Sequence, residues 1–137
     1  MAQFPAPSEG IAITHFIVSS DVERSRRFYV EVLGGEAVLE GDPTIVALAN
    51  GWITISVGGG PTPDKPSVTL EPPSDPHRVS GFLNIRVADI RAVYDEWRAR
   101  GAEFLTSPID RGAEIRCYMR DPDGHLIEVG QLVRRPE

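Results

Sequence analysis

One order of apolar runs, caps and turns occurs twice along this chain. In the first pass, residues 12–19 (AITHFIVS) read as a strand and Asp21 offers an N-cap. The segment VERSRRFYVEVLGG then places Val22, Ser25, Phe28, Tyr29, Val32 and Leu33 on one helical stripe, which Gly34 and Gly35 end. Three short β-type runs follow, EAVLE, TIVALA and WITISV, separated by Gly-Asp-Pro and Asn-Gly turn signals. In the second pass, the strand FLNIRVA leads to a cap at Asp89, and a helix whose stripe is Ile90, Val93, Tyr94 and Trp97 ends at Gly101. AEFLT, EIRCYMR and HLIEVGQ complete it, the last two joined by Asp-Pro-Asp-Gly. The spacing predicts a duplicated βαβββ unit, with module one over about 11–58 and module two over about 81–132. Six of the twelve prolines fall in the crossover, about 59–80, so it reads as an ordered connection rather than a flexible linker. Within it SVTL, 67–70, is a candidate edge strand.

With 137 residues, 41% of them hydrophobic, the chain suits one well-packed domain. Its formal net charge is -6, and its Lys and Arg residues are not gathered on one segment, so no footprint for nucleic acid is expected. The apolar runs are far shorter than the roughly 20 residues that span a membrane. The start MAQFPAPSEG lacks the basic flank and apolar stretch of a signal peptide, and the one cysteine, Cys117, forms no internal disulfide. A cytoplasmic protein without membrane contact is the expectation.

Paired βαβββ units with DVERSRRFYVEVLGG in the first and RDPDGHLIEV in the second resemble the vicinal oxygen chelate superfamily. That group includes glyoxalase I, the fosfomycin-modifying enzymes, extradiol dioxygenases and the bleomycin resistance proteins. The resemblance covers roughly residues 11–132 and implies an α+β fold in which two βαβββ modules form a cup-shaped sheet. Units of this kind cover their sheet edges against one another, so a homodimer is expected. In the family's enzymes a divalent metal (Zn, Mn, Ni or Fe) is held in the cup by His or Glu from the first and last strand of each unit.

In the family's pattern the first-strand ligand stands seven residues before the capping Asp, and the last-strand ligand four after the turn Gly. Those rules select Thr14 and Ile55 in the first unit and Phe82 and Glu128 in the second. Only Glu128 is a metal-binding residue type, so the site is expected to be incomplete. Alternation turns His15 toward the helix side, and a bulge would bring it into the cup as a second metal ligand.

Alternation also nominates contact residues. Phe82, Asn84 and Arg86 share the face of Leu126, Glu128 and Gly130, and on EIRCYMR the alternates Arg116, Tyr118 and Arg120 join them. Ile115, Cys117 and Met119 then meet the helices. The first unit is expected to add an apolar wall that includes Thr14, Phe16, Ile53 and Ile55. An apolar wall facing fixed polar groups suits a small-molecule ligand, and arginines suit a planar anion. The plainer reading of Arg86 or Arg116 is that either neutralises Glu128.

These residues support readings from different classes. One is a glyoxalase- or dioxygenase-type enzyme, a lyase or oxidoreductase acting on an oxygenated small molecule, with Glu128 as catalytic base or metal ligand. The other is a metal-free binding protein that sequesters an antibiotic or senses a metabolite, as the bleomycin resistance proteins do. A third is an interaction domain whose cup is filled by Phe82 and Tyr118.

Overall fold

The computed structural model describes residues 5–133. They form two compact units, the first ending at Ser74 and the second beginning at Asp75. In the first, β1 (Thr14–Val18), α1 (Val22–Arg27), β2 (Glu36–Leu39), β3 (Thr44–Leu48) and β4 (Gly51–Ser56) form a sheet in the order β1-β4-β3-β2. The β1–β4 pair is parallel and the other pairs are antiparallel. Asp21 caps α1 by accepting a hydrogen bond from Arg24 N at 3.1 Å, which satisfies one of the helix's unpaired donors.

Past Arg27 the helix departs from the expected single α-helix. Phe28–Val32 wind as a π turn, closed by Leu33 N donating to Phe28 O at 3.2 Å. The wider turn lets the adjacent Phe28 and Tyr29 both enter the core, where their rings meet edge to face at 5.1 Å. Gly35 then carries the chain close under β3. A Cβ there would stand 2.5 Å from Val46 Cγ1 and 2.9 Å from Tyr29 O, and the second is a backbone atom that cannot easily yield. Gly35→Ala is therefore expected to cost about 2 kcal/mol in urea unfolding. An unchanged midpoint would mean that this contact is looser than described.

Val46 beneath the π turn marks the helix side of the first sheet. Ladder register puts Ile17, Thr44, Ile53 and Ile55 on that same side, all buried. In the crossover, the expected edge strand at SVTL reduces to one bridge, Leu70 exchanging two 2.9 Å backbone hydrogen bonds with Gly59. Its proline-rich flanks offer few donors for a longer ladder.

The second unit comprises β5 (Leu83–Arg86), α2 (Ile90–Ala99), β6 (Glu103–Phe104), β7 (Ile109–Asp110), β8 (Glu114–Arg120) and β9 (Leu126–Leu132). Its order, β5-β9-β8-β6, repeats that of the first unit, again with a parallel pair between its first and last strands. The expected strand AEFLT shortens to β6, and β7 pairs farther along β8, so this edge comes in two pieces. Pro108 lies between the pieces and has no N–H to give the ladder. Asp89 caps α2 at Ala92 N, 3.2 Å, as its place before the stripe predicted. Ile90 and Trp97 of α2 are buried, as are Cys117, Met119, Ile127 and Val129 on the sheet's helix side. The class is α+β, built from two βαβββ modules as the repeat predicted.

Candidate functional site

The register of each last strand is set by the turn before it, and the two turns differ. Leu48 pairs with Gly51, so Ala49 and Asn50 form a two-residue loop and Gly51 already belongs to β4. In the second unit Arg120 pairs with Leu126, leaving 121–125 as the loop, with Gly124 inside it at φ 91°. Counting four residues on from the two glycines therefore lands on opposite faces. Ile55 lies across from Ile17 on the helix side, with Ile53 beside it, whereas Thr54 lies across from Phe16 just as Glu128 lies across from Asn84. The expectation that Ile55 and Ile53 line a ligand wall is thus corrected. They are core residues, and the first-unit counterpart of Glu128 is Thr54. His15, paired with Ile53, also points to the helix side, as its parity predicted.

The longer turn is built by Asp121, whose Oδ1 accepts hydrogen bonds from Asp123 N and His125 N at 2.9 Å each. Gly124 N also donates to Asp121 O at 3.0 Å. The first acid of the RDPDGH stretch is therefore a turn former. It fixes where β9 begins, and hence which way Glu128 faces.

On the second sheet's open face, side chains line up in rows across three strands. One row is Asn84, Glu128 and Tyr118, and the next is Arg86, Gly130 and Arg116. Glu128 is buried, 5% exposed, and its Oε2 accepts a hydrogen bond from Asn84 Nδ2 at 2.9 Å. The expected neutralisation by Arg86 or Arg116 does not occur, and among the described residues no ion pair forms at Glu128. Both arginines instead clamp Glu114, Arg86 Nη2 at 3.1 Å and Arg116 Nη1 at 3.2 Å. Their hydrogen bonds, that of Arg86 first, hold the Glu114 carboxyl below the usual carboxylate range. Gly130 makes the clamp possible, because a side chain there would occupy the space that the Arg86 guanidinium crosses. Cys117 is buried, and burial pushes its thiol up to about 11, so it is not a nucleophile at neutral pH.

A cleft of about 430 Å³ opens beside these rows, entirely within the second unit. Phe82, Tyr118, Arg120 and Leu126 supply its strand wall, Leu105 another side, and Pro76, His77, Val79, Ser80 and Gly81 the part given by the crossover. Phe82 and Tyr118 meet edge to face at 5.8 Å. Arg120 Nη1 donates to Pro76 O at 2.7 Å and to Gly124 O at 3.3 Å, tying the crossover to the turn. Of the sequence-nominated residues, Phe82, Tyr118, Arg120 and Leu126 line this cleft, while Asn84, Arg86, Arg116 and Glu128 lie on the face next to it. The crossover contribution went unforeseen because residues 76–81 follow no period that assigns them a face.

The donors at the family's ligand positions do not suit a metal. The first unit offers Thr14 and Thr54, the second Phe82 and Glu128, and neither threonine hydroxyls nor an aromatic ring replace His or carboxylate ligands. Among the described residues no three His, Cys, Asp or Glu side chains gather to hold an ion. Nor, among them, is any helix long and apolar enough to cross a membrane.

Comparison with known proteins bears on the whole chain. Residues 12–129 match the model of the Glyoxalase/Bleomycin resistance protein/Dioxygenase superfamily. The chain is 30% identical over 126 residues to Virulence protein STM3117 of Salmonella typhimurium, covering 88% of this chain and 84% of that protein. Among solved structures, a glyoxalase/bleomycin resistance protein/dioxygenase from Nocardioides superposes with a TM-score of 0.73 at 19% identity, over 96% of this chain and 89% of that one. TnmS3, described as an antibiotic binding protein from Streptomyces sp. CB03234, gives 0.65 at 20% identity, over 93% and 99%. The repeated strand order, the capped helices and these matches agree, and the chain belongs to the glyoxalase/bleomycin resistance protein/dioxygenase superfamily.

Proposed function

We propose that this protein binds a small molecule in the second-unit cleft and carries no resident metal. The observation that carries the reading is Phe82. Where the family's enzymes place a metal ligand, this chain places an aromatic ring that forms the wall of a roughly 430 Å³ cleft. The description of TnmS3, which shares the fold, as an antibiotic binding protein supports a small-molecule binding role. Glu128, oriented by Asn84, then serves as a fixed hydrogen-bond acceptor next to the ligand.

A second reading, favoured by a buried carboxylate that forms no ion pair among the described residues, is that Glu128 acts as a general base on the bound molecule. Metal analysis by inductively coupled plasma mass spectrometry, after dialysis against Zn, Mn, Ni and Fe(II), tests the metal-free reading. The expected result is substoichiometric metal in wild type and in Glu128→Ala alike. About one metal per chain in wild type, lost in Glu128→Ala, would overturn it.

A further inference from the structure

We infer that the ligand of this cleft is an aromatic carboxylate, gripped by Arg120. The inference rests on the reading of the cleft as a ligand site and adds the ligand's chemistry. Arg120 is held in place by two carbonyl oxygens, Pro76 O and Gly124 O, both bonded to Nη1. Carbonyls orient a guanidinium without neutralising it. Among the described residues no carboxylate pairs with Arg120, and none of its hydrogen bonds uses Nε or Nη2. Those two nitrogens form one edge of the planar fork, the edge that grips a carboxylate through two parallel hydrogen bonds. Anchoring through Nη1 thus leaves a bidentate edge in a cleft whose lining contains no acidic residue.

The apolar half of the ligand is specified by the same walls. Phe82 is 43% exposed and Leu105 52%, an unusual amount of uncovered apolar surface for residues lining a concavity. Phe82 already packs edge to face on Tyr118, an arrangement that leaves ring surface for a third aromatic group. The direction of the carboxylate follows from Glu128, which lies two residues along β9 from Leu126, about 7 Å away. A bound anion is therefore favoured at the Arg120 end, with the ring system against Phe82 and Leu105.

The test is a titration of isotope-labelled protein with 2-naphthoate and with 2-naphthamide, followed by nuclear magnetic resonance shifts of the cleft residues. Naphthoate is expected to bind about tenfold or more tightly than the amide, since one partner is then a charged pair of hydrogen bonds. Arg120→Gln is expected to erase that difference, and Leu105→Trp to weaken both compounds by filling the cleft. Arg120→Lys guards against loss of folding in the glutamine variant. It keeps the charge and a donor for Pro76 O but not the fork, and is expected to lose most of the preference. Equal binding of the two compounds, unaffected at Arg120 but blocked by Leu105→Trp, would overturn the carboxylate assignment and leave the cleft reading standing. Shifts from neither compound would overturn both.

Discussion

Ile55→Ala is expected to lower stability by about 3 kcal/mol, while Thr54→Ala costs less than about 1 kcal/mol. Ile55 is fully buried on the helix side of the first sheet, paired with Ile17 and Thr44, so truncation leaves a cavity roofed by the helix. Thr54 sits on the other face, half-buried across from Phe16. Urea unfolding of the two variants reads the register of β4 directly. If Thr54→Ala proved the costlier substitution, β4 would be shifted by one residue, and Ile55 would regain its place at the family's ligand position.

Asp121→Ala is expected to cost a similar amount, about 3 kcal/mol, because it strips two backbone donors of their shared acceptor in a site where the residue is only 4% exposed. Asp121→Asn keeps an oxygen for both donors and should lose roughly 1 kcal/mol. Equal losses in the two variants would show that charge, rather than the hydrogen-bonded turn, is what the position requires. The turn also sets the start of β9, so the alanine variant should perturb the amide resonances of Glu128 and Asn84 along with those of the loop.

The fold was legible because its determinants are local. Asp21 and Asp89 cap helices from the sequence positions where a cap must stand, and on α2 the stripe behind the cap, Ile90 and Trp97, points where a period near 3.6 sends it, whereas Phe28 and Tyr29 reach the core through the π turn that the sequence did not announce. Strand parity was legible for the same reason in the second unit, where Cys117 and Met119 are buried and Tyr118 faces the cleft. It failed at Ile55 because a glycine marks a turn without giving its length. Gly51 opens a strand, whereas Gly124 lies within a loop. Long-range partners were not legible at all. Nothing local told that Arg86 would choose Glu114, 28 residues away, over Glu128, or that Arg120 would reach back 44 residues to Pro76.

The buried cysteine has a practical consequence. Cys117 is the chain's one cysteine, and with its thiol pushed up to about 11 only on the order of one molecule in ten thousand carries the thiolate at pH 7. A maleimide or nitroxide reagent will therefore pass it over while the protein stays folded. Any second cysteine placed on an exposed residue, Leu105 at the cleft rim or Val57 in the first unit, becomes the one addressable thiol without further engineering. The natural sequence is in effect already a cysteine-free background for attaching a spectroscopic label at a chosen point.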